Sequence, residues 1–164
     1  MCIRDRDTTG LTIVAKHALA GGILGNAVAK RAIHRTYYAV CSGCTPACMR
    51  ISAPIARKDA STIERCVDFK RGENAVTDFI RIKYNPDNNL SLVKLRLLTG
   101  RTHQIRVHMK YIGFPLIGDF LYNPDYTYIS RQALHSGRLV FTHPVTGQKM
   151  NLISDIPSDM KSLF

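Results

Sequence analysis

Between residues 98 and 109 the chain gathers Arg101, His103, Gln104, Arg106 and His108 into one short span. Guanidinium, imidazole and carboxamide groups at this density can hold an anion or the polar edge of a ligand. The guanidinium does so most firmly, because its fork matches paired oxygens. The residues before this span say how it is held. Across residues 90–98, Val93, Leu95 and Leu97 alternate with Lys94 and Arg96, the period of a strand with one buried face. Thr99-Gly100 ends the strand and Thr102 is the expected N-cap of a helix. Ile105, Met109 and Ile112 form that helix's apolar face, and its remaining positions are polar. Arg101 therefore falls where a strand end meets a helix start, a place where sheets expose functional groups.

The whole chain sets the frame for these residues. Its 164 residues, 45% of them hydrophobic, suffice for one core, and a single domain over residues 1–164 is expected. The formal net charge is +11 and the positive residues are spread along the chain. Such a surplus points to a polyanionic partner, nucleic acid first, because phosphate contacts release counterions. No apolar run approaches the roughly 18 residues that span a bilayer, and no signal-peptide pattern opens the chain. A cytoplasmic protein without a membrane partner is expected. Five cysteines form no regular disulfide framework. Cys41, Cys44 and Cys48 could present three thiolates to zinc, but the complete paired spacing of a structural site is absent, so a reduced cysteine-rich loop is expected.

In chain order, Asp5-Arg6-Asp7 reads as acid, base, acid before a turn at Thr8-Thr9-Gly10. An aspartate in such a loop ordinarily forms a turn or caps a helix. Residues 11–16 read as a short buried strand. Residues 17–31 read as an amphipathic helix through Leu19, Ile23, Leu24, Ala27 and Val28, although Gly21, Gly22 and Gly25 each weaken it by about 1 kcal/mol. Residues 33–40, rich in β-branched and aromatic side chains, predict a strand. Further strands are expected at 50–57, 63–69, 79–84, 134–144 and 149–153. Turns are expected at 70–77, 85–89, 145–148 and 156–159.

Taken together, Thr99-Gly100-Arg101-Thr102-His103-Gln104-Ile105-Arg106-Val107-His108, then Ile112-Gly113, Pro115, Gly118-Asp119 and Tyr122, resemble the third motif of the RluA-type pseudouridine synthases and the segment C-terminal to that motif. Arg35-Thr36-Tyr37-Tyr38-Ala39 resembles the second motif, a basic residue two before an active-site tyrosine. Asp5-Arg6-Asp7-Thr8-Thr9-Gly10-Leu11 resembles the first, with Cys2, Ile3 and Arg4 where the family has His, Arg and Leu. The glycine, alanine and threonine spacing of Gly72, Ala75 and Thr77 also fits. The match covers nearly the whole chain in the family's order and lacks the family's N-terminal part, which includes sheet strands and, in many members, a small RNA-binding domain.

The resemblance implies an α+β fold, a mixed, mostly antiparallel sheet with flanking helices. It implies isomerisation of a uridine in rRNA or tRNA to pseudouridine by a monomer that needs no metal or organic cofactor. Asp5 takes the place of the catalytic aspartate, which either attacks the sugar or assists removal of a sugar proton. Arg101 is its ionic partner and Tyr37 the aromatic wall for a base taken out of its stack. Arg6, Thr8, His103, Gln104 and Arg106 are the expected RNA contacts or site supports. For His108 and His135, a satisfied buried histidine is weighed equally with a functional one. Two other readings stand beside the enzyme: an RNA-binding module without catalysis, and an inactive fragment of such an enzyme.

Overall fold

The alternating strand at residues 90–98 occupies the centre of the sheet. The structure, a computed structural model, describes residues 7–164, so Asp5 and Arg6 lie outside the described residues. Its strands are β1 Thr9–Gly10, β2 His34–Ser42, β3 Cys48–Ser52, β4 Ile55–Arg57, β5 Arg65–Val67, β6 Val76–Asn85, β7 Leu90–Leu97, β8 Leu134–Thr142 and β9 Lys149–Ile153. The helices are α1 Ala18–Ala29, α2 Gln104–Tyr111 and α3 Ser158–Lys161. The main sheet runs β1-β8-β2-β7-β6-β3, and β9 pairs with β8 beyond β1. Only β1 against β8 is parallel among these described pairings; the others are antiparallel. The mixed, mostly antiparallel α+β fold expected from the resemblance is the fold observed.

Period-two alternation sets which face is buried. Val93 and Leu95 of β7, Ala39 and Cys41 of β2, Phe79 of β6 and Ile51 of β3 point to one side, where Ile105 and Met109 of α2 close the largest core cluster. On the opposite face Val40 and Leu90 pack with Ile117, Ile129 and Met160, which brings α3 onto the sheet. Between Thr36 and Tyr37 the β2–β8 register slips by one residue, from Thr36 opposite Arg138 to Tyr37 opposite Ser136. Gly137 is the extra residue of this bulge, and a Cβ there would run into the Tyr38 ring. The bulge thus shifts the facing of β8 past Tyr37 and Tyr38, whose own register with β7 runs unbroken.

Several local expectations need correction. Residues 11–16 form no strand: after Leu11 N donates to Ser136 O at 2.9 Å, the edge of β8 passes to β9, which pairs with Arg138 onward. The ladder partner is already taken. The strand expected over 50–57 is split. Pro54 lacks an N–H and restricts Ala53, so β3 stays in the main sheet while β4 leaves to pair with β5 in a separate ribbon. The strand expected over 63–69 shrinks to Arg65–Val67. Helix α1 forms with His17 as its N-cap, accepting from Ala20 N at 3.3 Å. Its expected apolar face is nonetheless mostly outside: Leu19 is 70% exposed, and Leu24 and Ala20 are the buried positions. Residues 158–161 are a single helical turn, one step beyond the expected turn.

The cysteine-rich loop is not one loop. Cys41 lies within β2, fully buried, and burial pushes its thiol pKa up; Cys48 opens β3. Among the described residues no group of three or more His, Cys, Asp or Glu side chains could hold a metal. Among the described residues no helix is long and apolar enough to cross a membrane. Phe79 is 2% exposed at the centre of the main cluster. Phe79→Ala should cost about 3–5 kcal/mol of stability, read as a lower urea midpoint with an unchanged denaturant slope.

Candidate active site

Helix α2 is buried almost all round. Gln104, Ile105, Arg106, Val107, His108 and Met109 are all inside, so its polar positions are buried along with its apolar face. Each must find partners in the interior. The helix also starts differently. His103, not Thr102, is the N-cap, in the left-handed region at φ 56°, and its side chain makes no capping bond. The loop before the helix is instead braced by Gln104, the first helical residue.

The Gln104 carboxamide uses all four of its hydrogen-bonding positions. Its Oε1 accepts from Thr99 Oγ1 at 2.8 Å and from Arg101 N at 2.9 Å. Its Nε2 donates to Val76 O at 3.0 Å and Thr77 Oγ1 at 2.9 Å. Thr99 Oγ1 in turn accepts from Val76 N at 2.8 Å. One amide therefore ties the end of β7, the start of β6 and the Arg101 backbone into a unit. The chain of bonds continues inward, because Thr77 Oγ1 lies 2.9 Å from His108 Nδ1 and His108 Nε2 lies 2.9 Å from Ala53 O. A carbonyl only accepts, so Nε2 carries the proton and Nδ1 accepts from Thr77. His108 is the satisfied buried histidine. His135 is also buried, between Thr9 Oγ1 at 2.9 Å and Ser154 O at 3.2 Å.

Arg106 and Asp119 form a second buried unit. Nε and Nη2 of Arg106 donate to Oδ2 and Oδ1 of Asp119 at 2.7 and 2.6 Å, with the two side chains 2% and 1% exposed. Asp119 Oδ1 also accepts from Leu121 N and Tyr122 N, and the Arg106 guanidinium lies over the rings of Tyr122 and Phe120. Gly118, at φ 66°, delivers Asp119; a side chain there would collide with the Arg131 carbonyl. Tyr122 OH accepts from Arg65 N at 2.8 Å and meets His103 Nδ1 at 2.9 Å, and burial pushes its pKa up to about 12.

These units frame a cleft of about 650 Å³. Tyr37, Arg101, His103, Gln104, Arg106 and Thr8 all line it, so every described member of the expected site is brought to one place. Their parts differ. Tyr37 stands on β2 opposite Leu95. Arg101 is 38% exposed, its Nε donates to Asn74 O at 3.1 Å, and it forms an ion pair with Glu73. Thr8 is buried and accepts from Gln132 Nε2 at 2.8 Å. Gln104 and Arg106 have their polar atoms committed to the protein, which fits support of the site and not direct contact with RNA. Arg31, Arg35 and Arg96 also line the cleft, and no carboxylate does among the described residues. Glu73, Thr77 and Thr99 were not singled out in the sequence as site supports. Thr77 and Thr99 stand within the stretches that resemble the family, and for Glu73 the only hint was a polar side chain in a hairpin.

The family described as RNA pseudouridylate synthase matches residues 4–111. The chain belongs to this family. It is similar to an uncharacterized RNA pseudouridine synthase of Bacillus subtilis, YjbO, with 47% identity over 98% of the chain and 56% of that protein. It is 38% identical to the ribosomal large subunit pseudouridine synthase D of Zymomonas mobilis over 98% of the chain and 53% of that protein. The chain spans about half the length of these relatives. In fold it resembles the human RNA pseudouridylate synthase domain containing 1, with a TM-score of 0.73 at 24% identity over 85% of the chain and 61% of that structure.

The two buried units make distinct contributions to stability. Asp119→Ala leaves the Arg106 charge buried and unpaired, and should cost about 3–5 kcal/mol, measured by chemical denaturation at neutral pH. His108 has its pKa held below the ordinary 6.5 by burial, only partly offset by the bond to Ala53 O. Its neutral form is favoured in the folded state, so its contribution is intact above pH 6.5 and is lost as pH falls below that value toward the lowered folded pKa. A stability–pH curve should dip in that window, and His108→Gln should flatten the dip.

Proposed function

We propose that the chain is the catalytic part of an RNA pseudouridine synthase that isomerises uridines in RNA, with ribosomal RNA the favoured substrate class. The observation that carries this reading is the arginine-lined cleft holding Tyr37 and Arg101 together, in a chain of the pseudouridylate synthase family. The rRNA preference rests on relatives named ribosomal large subunit pseudouridine synthase D. We read the protein as a single-domain monomer in this region, working in the cytoplasm where such RNA is found.

Each step calls for a particular group. A uridine must leave its stack before its glycosidic bond can be reached, and an aromatic ring replaces part of the lost stacking. Tyr37 is assigned that part. The phosphates flanking the uridine need cationic neighbours, and the cleft offers arginines without a described carboxylate among them. Asp5 is assigned the carboxylate. It acts on the sugar by attack or by proton removal, the N1–C1′ bond breaks, the freed base turns, and carbon five bonds to C1′, losing its proton while N1 gains one. Asp5 precedes by three residues Thr8, which lines the cleft. Arg101 would keep that carboxylate ionised and aligned, and Arg6 and His103 would contact RNA at the rim.

The test uses a protein of the relatives' full length that carries this chain. Asp5→Asn should reduce pseudouridine formation to background while RNA affinity stays within a few-fold, because the amide keeps the shape and loses the charge. Arg101→Ala should lower both activity and affinity. An Asp5→Asn protein that binds RNA and still forms pseudouridine would remove Asp5 from the mechanism. An unmodified protein that binds RNA without isomerising any uridine would leave an RNA-binding module.

A further inference from the structure

A second concavity of about 510 Å³ opens on the other side of Arg101. Its wall carries Arg57 of β4, Arg65 of β5, Arg71 of the following turn and Arg101, with Glu73 the one carboxylate among its lining residues. Gly100, Arg101 and Thr102 belong to both concavities, so the two are joined through this loop. Two of the four guanidiniums are already ion-paired, Arg101 with Glu73 and Arg71 with Asp68, and the β4–β5 ribbon places the other two. Ile55–Arg57 pairs with Arg65–Val67, and Arg65 N is fixed by Tyr122 OH. Arg57 Nη1 donates to Ala60 O at 3.2 Å, and Arg71 Nε donates to Asp68 at 2.7 Å. Nη1 of Arg65 is buried with no hydrogen-bond partner. Like charges gathered this closely repel, and an orphan donor in the interior is costly. An anion with several acceptor oxygens relieves the repulsion.

We infer that this second concavity is a binding subsite for a backbone phosphate of the RNA strand whose uridine enters the first, and that Glu73 occupies Arg101 until that phosphate arrives. The inference rests on the reading of the chain as an RNA-modifying protein, and adds where the strand continues. The β4–β5 ribbon then has a function of its own. By leaving the main sheet at Pro54 it turns Arg57 and Arg65 toward the loop that carries Arg101. Glu73 is the switchable member. It is 69% exposed and its pair with Arg101 is a surface one, of the weak kind that a competing phosphate can displace.

The test measures binding of the 164-residue chain to a uridine-containing single-stranded RNA by fluorescence anisotropy, across a series of salt concentrations. Arg57→Gln should weaken binding and reduce the slope of log affinity against log salt by about 0.7, one single-strand phosphate contact. Arg65→Lys, which keeps charge and loses the fork, should weaken binding with little change in slope. Glu73→Gln should tighten binding. The same RNA with one methylphosphonate beside the uridine should lose affinity for the unmodified chain and lose almost nothing further with Arg57→Gln. Inorganic phosphate at constant ionic strength should compete poorly, since the strand supplies the remaining contacts. Thermal unfolding followed by circular dichroism establishes that the variants are folded. A folded Arg57→Gln chain with unmodified affinity and slope, together with a folded Arg65→Lys chain of unmodified affinity, would overturn the subsite. Failure of isomerisation with methylphosphonate-sensitive binding retained would strike the enzyme reading and leave the subsite standing.

Discussion

The constraint on which the site depends is the need to satisfy one buried carboxamide. Gln104 sits where β7 has ended and α2 has begun, 2% exposed beside the Arg101 N–H and the Val76 carbonyl. A helix start and a strand end each leave donors or acceptors without ladder partners. Gln104 serves both at once, taking the N–H of Arg101 and giving to the carbonyl of Val76. Replacing it with an apolar residue of similar size would strand groups on both sides. The position of Arg101 is therefore set less by its own side chain than by its neighbour's amide.

The same logic extends into the core. Thr77 passes the hydrogen-bond chain to His108, and His108 passes it to Ala53, next to the proline that sends β4 out of the sheet. The polar chain thus connects the loop of Arg101 with the hinge of the β4–β5 ribbon. Arg106 and Asp119 do comparable work on the other side of α2. A buried bidentate pair gains little net stability against an apolar pair of similar volume. Its geometry is directional, though, and it fixes the turn that carries Tyr122, which holds the Arg65 backbone and meets His103.

Much of this fold was legible in the sequence, and the reasons differ by element. β7 alternates over Val93, Leu95 and Leu97, so its buried face follows from period alone. The turn at 85–89 follows from Asn and Pro chemistry. Residues 11–16 have strand composition, but whether they pair depends on a free edge of β8, and β9 had taken it. The apolar residues of α1 have helical spacing, but burial needs a partner surface, and among the described residues only Leu139, Phe141 and their neighbours supply one. In the site, Arg101 and Tyr37 could be picked out by motif resemblance. The pairing of Arg106 with Asp119 could not be read from spacing, because a separation of thirteen residues across a helix end and a loop has no period. Nor did Glu73 announce itself, since one acid in a polar hairpin is ordinarily solvated.

The positions of Tyr37 and Arg101 are coupled by the sheet. Tyr37 pairs with Leu95, and β7 ends two residues later, so the loop that carries Arg101 starts on the neighbouring strand about 7 Å further along the strand direction. The unbroken register with β7 decides the side to which Tyr37 turns, and Gln104 decides where Arg101 can go. Neither control lies on a residue assigned to chemistry. A site built this way keeps its reactive side chains few and exposed while their geometry is held by groups that never leave the interior. That arrangement explains why α2 is so heavily polar and so thoroughly buried: its glutamine, arginine and first core histidine are the fixtures to which the cleft is attached.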